Sequence, residues 1–167
     1  MLIPWKCNRG FGIVEILVAV GIASVSLVSL MGLFNNYLKV CNNNKQNIEA
    51  LNLAQEAMES VRAVRDDSWN NISNLTPGTI YHPVQQGTPP EWGMSSGTET
   101  INNFFLREII LAEVYRLDAS GDIVLSGGVL DPDTKKVTVT VCWNTQINCN
   151  SAKYKVNLVS YITNWNQ

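Results

Sequence analysis

The chain of 167 residues has room for one domain and an attached element. It is 46% hydrophobic and 16% charged, with a formal net charge of -2. That balance gives no electrostatic footprint for nucleic acid. The chain also contains no phosphate-cradling glycine loop, dinucleotide fingerprint, zinc-type cysteine pairing or internal repeat.

The first element is the run from Phe11 to Phe34, almost wholly apolar, with one charge, Glu15. It exceeds the roughly 20 residues that a membrane helix needs. An ionised carboxylate in hydrocarbon is unfavourable by about 2.5 kcal/mol or more, so Glu15 demands an explanation. Gly12, Gly21 and Gly32, with Ser24, Ser26 and Ser29, allow close approach of other helices. Lys6 and Arg9 precede the run and no acid does, which predicts a cytoplasmic N-terminus and a C-terminal part outside. A secretory signal peptide has an apolar region of roughly 7–15 residues and a small-residue cleavage site. This run is longer, and MGLFNNYLKV supplies no such site. A plain signal-anchor helix would leave Glu15 and the Arg-Gly-Phe junction unexplained.

RGFGIVEILVAVG resembles the processing site of type IV prepilins and type II secretion pseudopilins. The resemblance implies a basic leader, residues 1–10, removed by a prepilin peptidase between Gly10 and Phe11 on the cytoplasmic side. It further implies N-methylation of Phe11 and an assembly role for Glu15. In such filaments the glutamate of one subunit meets the terminal amine of a neighbour. The physics agrees, because an opposite charge at hydrogen-bond range relieves most of the burial penalty. Phe11 and Glu15 also stand four apart, so they are within reach of each other along one helix. Loss of Lys6 and Arg9 would take the formal charge from -2 to -4 and remove Cys7.

Residues 35–67 continue the helix. NNYLKVCNNNKQ is polar and only weakly helix-favouring. In NIEALNLAQEAMESVRAV, Ile48, Leu51, Ala54, Met58 and Val61 recur at three- and four-residue steps, so this stripe is expected to bury against a sheet. Glu59 and Arg62 have the spacing of a helical ion pair. A helix from Phe11 to about Arg65 would be about 80 Å long, the long-stemmed shape the family shows. Many pilins have a proline where this chain has Gly32. Glycine there, with the asparagines at 35, 36 and 42–44, marks either a segment that stretches on assembly or a weakly helical spacer.

Residues 68–103 hold most of the prolines and many turn formers and read as a long connecting region, with Tyr81 and Trp92 available to pack it down. His82 is the only histidine, and no motif supplies it with a nucleophile and an orienting acid. No enzymatic activity and no cofactor are expected.

Residues 104–167 read as an antiparallel sheet. FFLREIILAEVYRLD is taken as a strand, with a helix as the alternative; DASGD is a turn, GDIVLSGG a short strand and DPDT a second turn. KKVTVTVCW alternates, with Val137, Val139, Val141 and Trp143 on one face, and YKVNLVSYITNW alternates too. Asp118, Asp122, Asp131 and Asp133 have the oxygen chemistry calcium prefers, but Asp is also an ordinary turn residue. Counted from Asp118, the twelfth position is Val129, where an EF-hand loop has glutamate; no metal site is expected. Cys142 and Cys149 close a short hairpin loop outside the membrane. They would be bridged where oxidising machinery exists and remain thiols where it does not. Pilins often carry a disulfide near the C-terminus, although this spacing is tighter than usual. Cys41 is then unpaired, just beyond the membrane, where neighbouring subunits would cover it.

The expected fold class is therefore α+β and type IV pilin-like: a long N-terminal helix, half transmembrane and half amphipathic, packed on a C-terminal antiparallel β-sheet. The helix region looks most similar to minor pilins and I-type pseudopilins. This implies a structural subunit of a bacterial type IV pilus or related filament. Its partners would be the prepilin peptidase, other pilin or pseudopilin subunits, the pilus assembly machinery and the membrane, with no nucleic acid. It would sit in the cytoplasmic (inner) membrane as a single-pass protein before entering an extracellular or periplasmic filament. The alternatives are a pseudopilin of a type II secretion or competence system and, from another class, a membrane-anchored surface binding module that never polymerises.

Overall fold

No proline interrupts the sequence between Pro4 and Pro77, so nothing in that stretch removes a helical N–H or clashes with the preceding turn. The computed structural model describes residues 10, 12–144 and 148–165. It has a single long helix, α1, over Ile13–Asp67, followed by a one-turn helix α2, Asn70–Ser73. Seven strands follow: β1 Ile80–Gln86, β2 Glu91–Ser96, β3 Glu99–Ile101, β4 Phe105–Arg116, β5 Ile123–Val124, β6 Val129–Trp143 and β7 Tyr154–Thr163. The chain divides into two units between Lys45 and Gln46, so α1 contributes to both.

The second unit is a helix packed on an antiparallel sheet, an α+β layout. The sheet order is β2-β1-β4-β6-β7, with the short β3 and β5 also pairing to β4. The alternation in KKVTVTVCW is realised: Val137, Val139, Val141 and Trp143 are buried against α1, and β6 pairs with β4 on one side and β7 on the other. FFLREIILAEVYRLD forms the strand β4. Ile109 and Leu111 add to the helix-facing core, and Phe105 packs edge-on against Trp143 with ring centroids 6.0 Å apart.

The buried line of α1 is Ala50, Ala54, Ala57, Met58, Val61 and Val64. Of the expected stripe, Ala54, Met58 and Val61 are buried, whereas Ile48 is 61% exposed and Leu51 37%. At 3.6 residues per turn, Ile48 points about 120° away from Ala54. Three alanines take the central sheet-facing positions instead, because a short side chain lets the helix axis lie close to the strands. The three- and four-residue spacing identifies an apolar stripe, but the buried face also takes in Ala50, Ala57 and Val64, which lie outside the expected one.

Residues 68–103, read as a connecting region, contain β1, β2 and β3. The turn formers lie between these strands, at Gly87, Pro89 and Pro90 and at Gly97. Pro83 is inside β1, but β1 pairs with β4 only at Ile80 and Tyr81. Beyond that, β1 has a partner on one side only, the edge position that a strand proline tolerates. The expected DPDT turn is likewise part of β6. Glu113 pairs with Lys135 and Val114 with Asp131, so Pro132 falls in the resulting bulge, where no ladder bond is demanded of it. At Gly128, which leads into β6, an added Cβ would stand 2.6 Å from the Arg116 carbonyl oxygen; only glycine lets the chain pass so close to β4.

Candidate functional site

The N-terminal part of α1 is the feature that the fold leaves unsatisfied. From Ile13 to Phe34 every large apolar side chain is between 54% and 80% exposed, on all sides of the helix. A surface helix of a globular protein would show an apolar stripe and a polar face. This segment is apolar all round, and it is long and apolar enough to cross a membrane. Its three serine hydroxyls are satisfied within the helix. The hydroxyls of Ser24, Ser26 and Ser29 donate to the carbonyls of Val20, Ile22 and Val25, at 2.7, 2.8 and 2.9 Å. That is how hydroxyls are accommodated where water is absent.

Glu15 lies in the first turn of α1, and its backbone N–H donates to the Gly12 carbonyl at 3.0 Å. The positive end of the helix dipole favours a carboxylate there. Its side chain takes part in none of the ion pairs among the described residues. Gly10 is exposed, with open space around its Cα. Lys6, Cys7, Arg9 and Phe11, and with them the other half of the Gly10–Phe11 junction, lie outside the described residues.

Cys142 and Cys149 form a disulfide with their Cα atoms 5.5 Å apart. The bridge is buried with Leu106 and Ala152 in a second, small apolar cluster, separate from the core against α1. The loop that carries Cys149 is tied down by polar contacts. Glu108 Oε1 accepts from the Cys149 N–H at 3.3 Å and from Thr98 Oγ1 at 3.2 Å, and Lys155 Nζ donates to the Cys149 and Asn150 carbonyls. Cys41 is a free, exposed thiol.

Three of the other polar residues singled out in the sequence, His82, Asp131 and Asp133, have structural partners. His82 Nδ1 is 3.1 Å from the Gly97 carbonyl, so the ring donates there and holds the β1–β2 hairpin. Asp131 accepts from Arg116 Nε at 2.5 Å and from the Asp133 N–H at 3.0 Å. Burial pushes the Asp131 carboxyl up, but hydrogen bonds from Arg116, Thr134 and the Asp133 backbone outweigh it and hold the group below its ordinary value. Among the described residues no group of three or more His, Cys, Asp or Glu is arranged to hold a metal ion.

Sequence reasoning passed over Arg107 and Glu108, adjacent charges in the apolar β4, both buried. The Arg107 guanidinium donates to Glu99 Oε2 at 2.6 and 2.9 Å and to the Leu53 carbonyl of α1 at 3.3 Å, and Glu56 approaches to 3.4 Å. It thus clamps helix to sheet. The signal was a charged pair in the middle of a strand-like apolar run, where each charge must find a partner on its own face. No family model, no curated protein and no solved structure matches this chain.

Proposed function

We propose that this chain is a pilin-like structural subunit, a minor pilin of a bacterial type IV pilus or related filament. In this reading a prepilin peptidase removes residues 1–10, Phe11 becomes the N-methylated terminus, and the subunit waits in the cytoplasmic membrane with its sheet outside. Assembly then packs the apolar part of α1 among other subunits. The observation that carries the reading is the helix segment from Ile13 to Phe34, apolar on every side and bearing one carboxylate with no ion-pair partner among the described residues. A membrane covers the apolar surface but leaves Glu15 charged in hydrocarbon. A filament supplies both the cover and, through a neighbour's terminal amine, the counter-charge. The RGF junction immediately before the helix supports the same reading.

The test is Glu15→Ala. The substitution touches nothing in the sheet unit and removes an unfavourable group from the bilayer, so the protein should be processed, membrane-held and normally folded. Sheared filaments blotted beside the membrane fraction should lack it, with incorporation reduced at least about tenfold, as expected for loss of a desolvated charge pair. Glu15→Gln keeps the shape without the charge and should fail in the same way. Incorporation of the alanine variant at the wild-type level would favour a membrane-anchored module that does not polymerise.

A further inference from the structure

Tryptophan is distributed unevenly over the sheet unit. Of the four tryptophans described, Trp143 is in the core, while Trp69, Trp92 and Trp165 line two hollows that share Asp67 as a wall. These hollows, of about 290 and 480 Å³, lie where α1 ends. Trp69 and Trp92 also pack against the core, and that alone would account for them. Trp165 does not. It is 65% exposed, although burying its ring would be among the larger apolar gains open to the chain. A polar tether holds it, with Nε1 donating to Asp66 Oδ1 at 3.3 Å.

The charges around the hollows narrow what they would accept. Asp67 and Glu91, together with the negative end of the α1 dipole, oppose an anion. The Arg65 guanidinium lines the smaller hollow and pairs with Asp66, and Asn71 Nδ2 donates to Asp67 Oδ2 at 2.7 Å, so both carboxylates of that hollow already have a donor. The Arg65 hydrogen bond, and after it that of Trp165, keeps the Asp66 carboxyl below its ordinary value, so it is an ionised acceptor at neutral pH. Asn70 and Asn164 add amide groups that both donate and accept. Aromatic faces beside groups that accept and donate to hydroxyls match a pyranose ring, with its C–H face and its rim of hydroxyls.

We infer that the two hollows meeting at Asp67, with Trp165 as the exposed platform and Trp92 in the second hollow, form a binding site for a neutral oligosaccharide. The site lies wholly within the sheet unit and stands whether or not the chain polymerises.

The experiment is a tryptophan-fluorescence titration of the full chain in a polyoxyethylene detergent, since glycoside detergents would compete. The probes are hexasaccharides of β-1,4-glucose, α-1,4-glucose and β-1,4-N-acetylglucosamine. At least one should give a saturable shift. Trp165→Ala should weaken it about tenfold, the loss of one aromatic contact, with unchanged circular dichroism and melting temperature because the ring is mostly exposed. Asp67→Asn, which keeps the shape of the shared wall, should also weaken it. The assignment is overturned if none of the three sugars saturates by about 10 mM, the weak limit for a specific contact. It is also overturned if both variants bind like the wild type. Saturation by tetramethylammonium or by a sulphated hexasaccharide, with none by the neutral sugars, would mark a site for charged ligands and overturn it as well.

Discussion

Single residues carry most of the polar logic of this protein. Arg107 is almost fully buried, so removing it strands Glu99 and frees a carbonyl of α1. Arg107→Met keeps the side-chain stem and removes the charge. Denaturant unfolding should show a loss of about 2 kcal/mol, moderated because Glu99 is partly exposed and can rehydrate. Asp131 gives a pH signature. Its folded value lies below its unfolded one, so its stabilisation is complete above the unfolded value of about 3.9 and disappears as pH falls through the folded value. Melting temperatures of the wild type and Asp131→Asn should therefore differ by a constant amount near neutrality and converge in acid. A gap that widens in acid would contradict the assignment. Glu15 was legible because it is alone in an apolar run. Arg107 was missed, since its partners at positions 53, 56 and 99 are brought to it only by the fold.

Among the elements, the strands with strict alternation were readable from the chain, because period two fixes which side chains face the core. The helix stripe was readable in period and misread in composition, since close approach to a sheet favours alanine over larger apolar residues. The hairpin before β4 was obscured by its own turns: Gly87, Pro89, Pro90 and Gly97 are dense enough to hide the short strands between them. The disulfide loop makes an element-scale prediction. Cys142 and Cys149 are seven residues apart, and a loop this short gives a chain-entropy stabilisation of about 2.5 kcal/mol. Cys142→Ala with Cys149→Ala should lower the urea midpoint accordingly, with little change in the slope. Midpoints that coincide would mean that Glu108 and Lys155 hold the loop without the bridge.

On the scale of the whole molecule, the two units differ in what surrounds them. The part of α1 before Gln46 exposes apolar side chains on every side, whereas the sheet unit contains the core clusters, the ion pairs and the disulfide. A chain beginning at Gln46 is therefore expected to be soluble without detergent, to elute as a monomer in size-exclusion chromatography and to unfold cooperatively. Aggregation of that fragment with its disulfide intact would show that the earlier part of α1 is required for the sheet unit to fold.

Two hydrogen bonds in that unit join distant parts of the chain: Trp143 Nε1 reaches Gln46 Oε1 across 97 positions, and Trp165 reaches Asp66 across 99. Contacts this far apart in sequence form slowly, because the entropy of closing the loop is lost before the contacts that reward it can form. The consequence is temporal. The alanine face of α1 leaves the ribosome first, and the strands that cover it follow roughly fifty to a hundred positions later. At about 5–20 residues per second, synthesis keeps that face waiting for several seconds. Exposed alanines attract misplaced partners far less than a leucine stripe would, so the side chains that let helix and sheet come close also protect the nascent chain until β7 arrives.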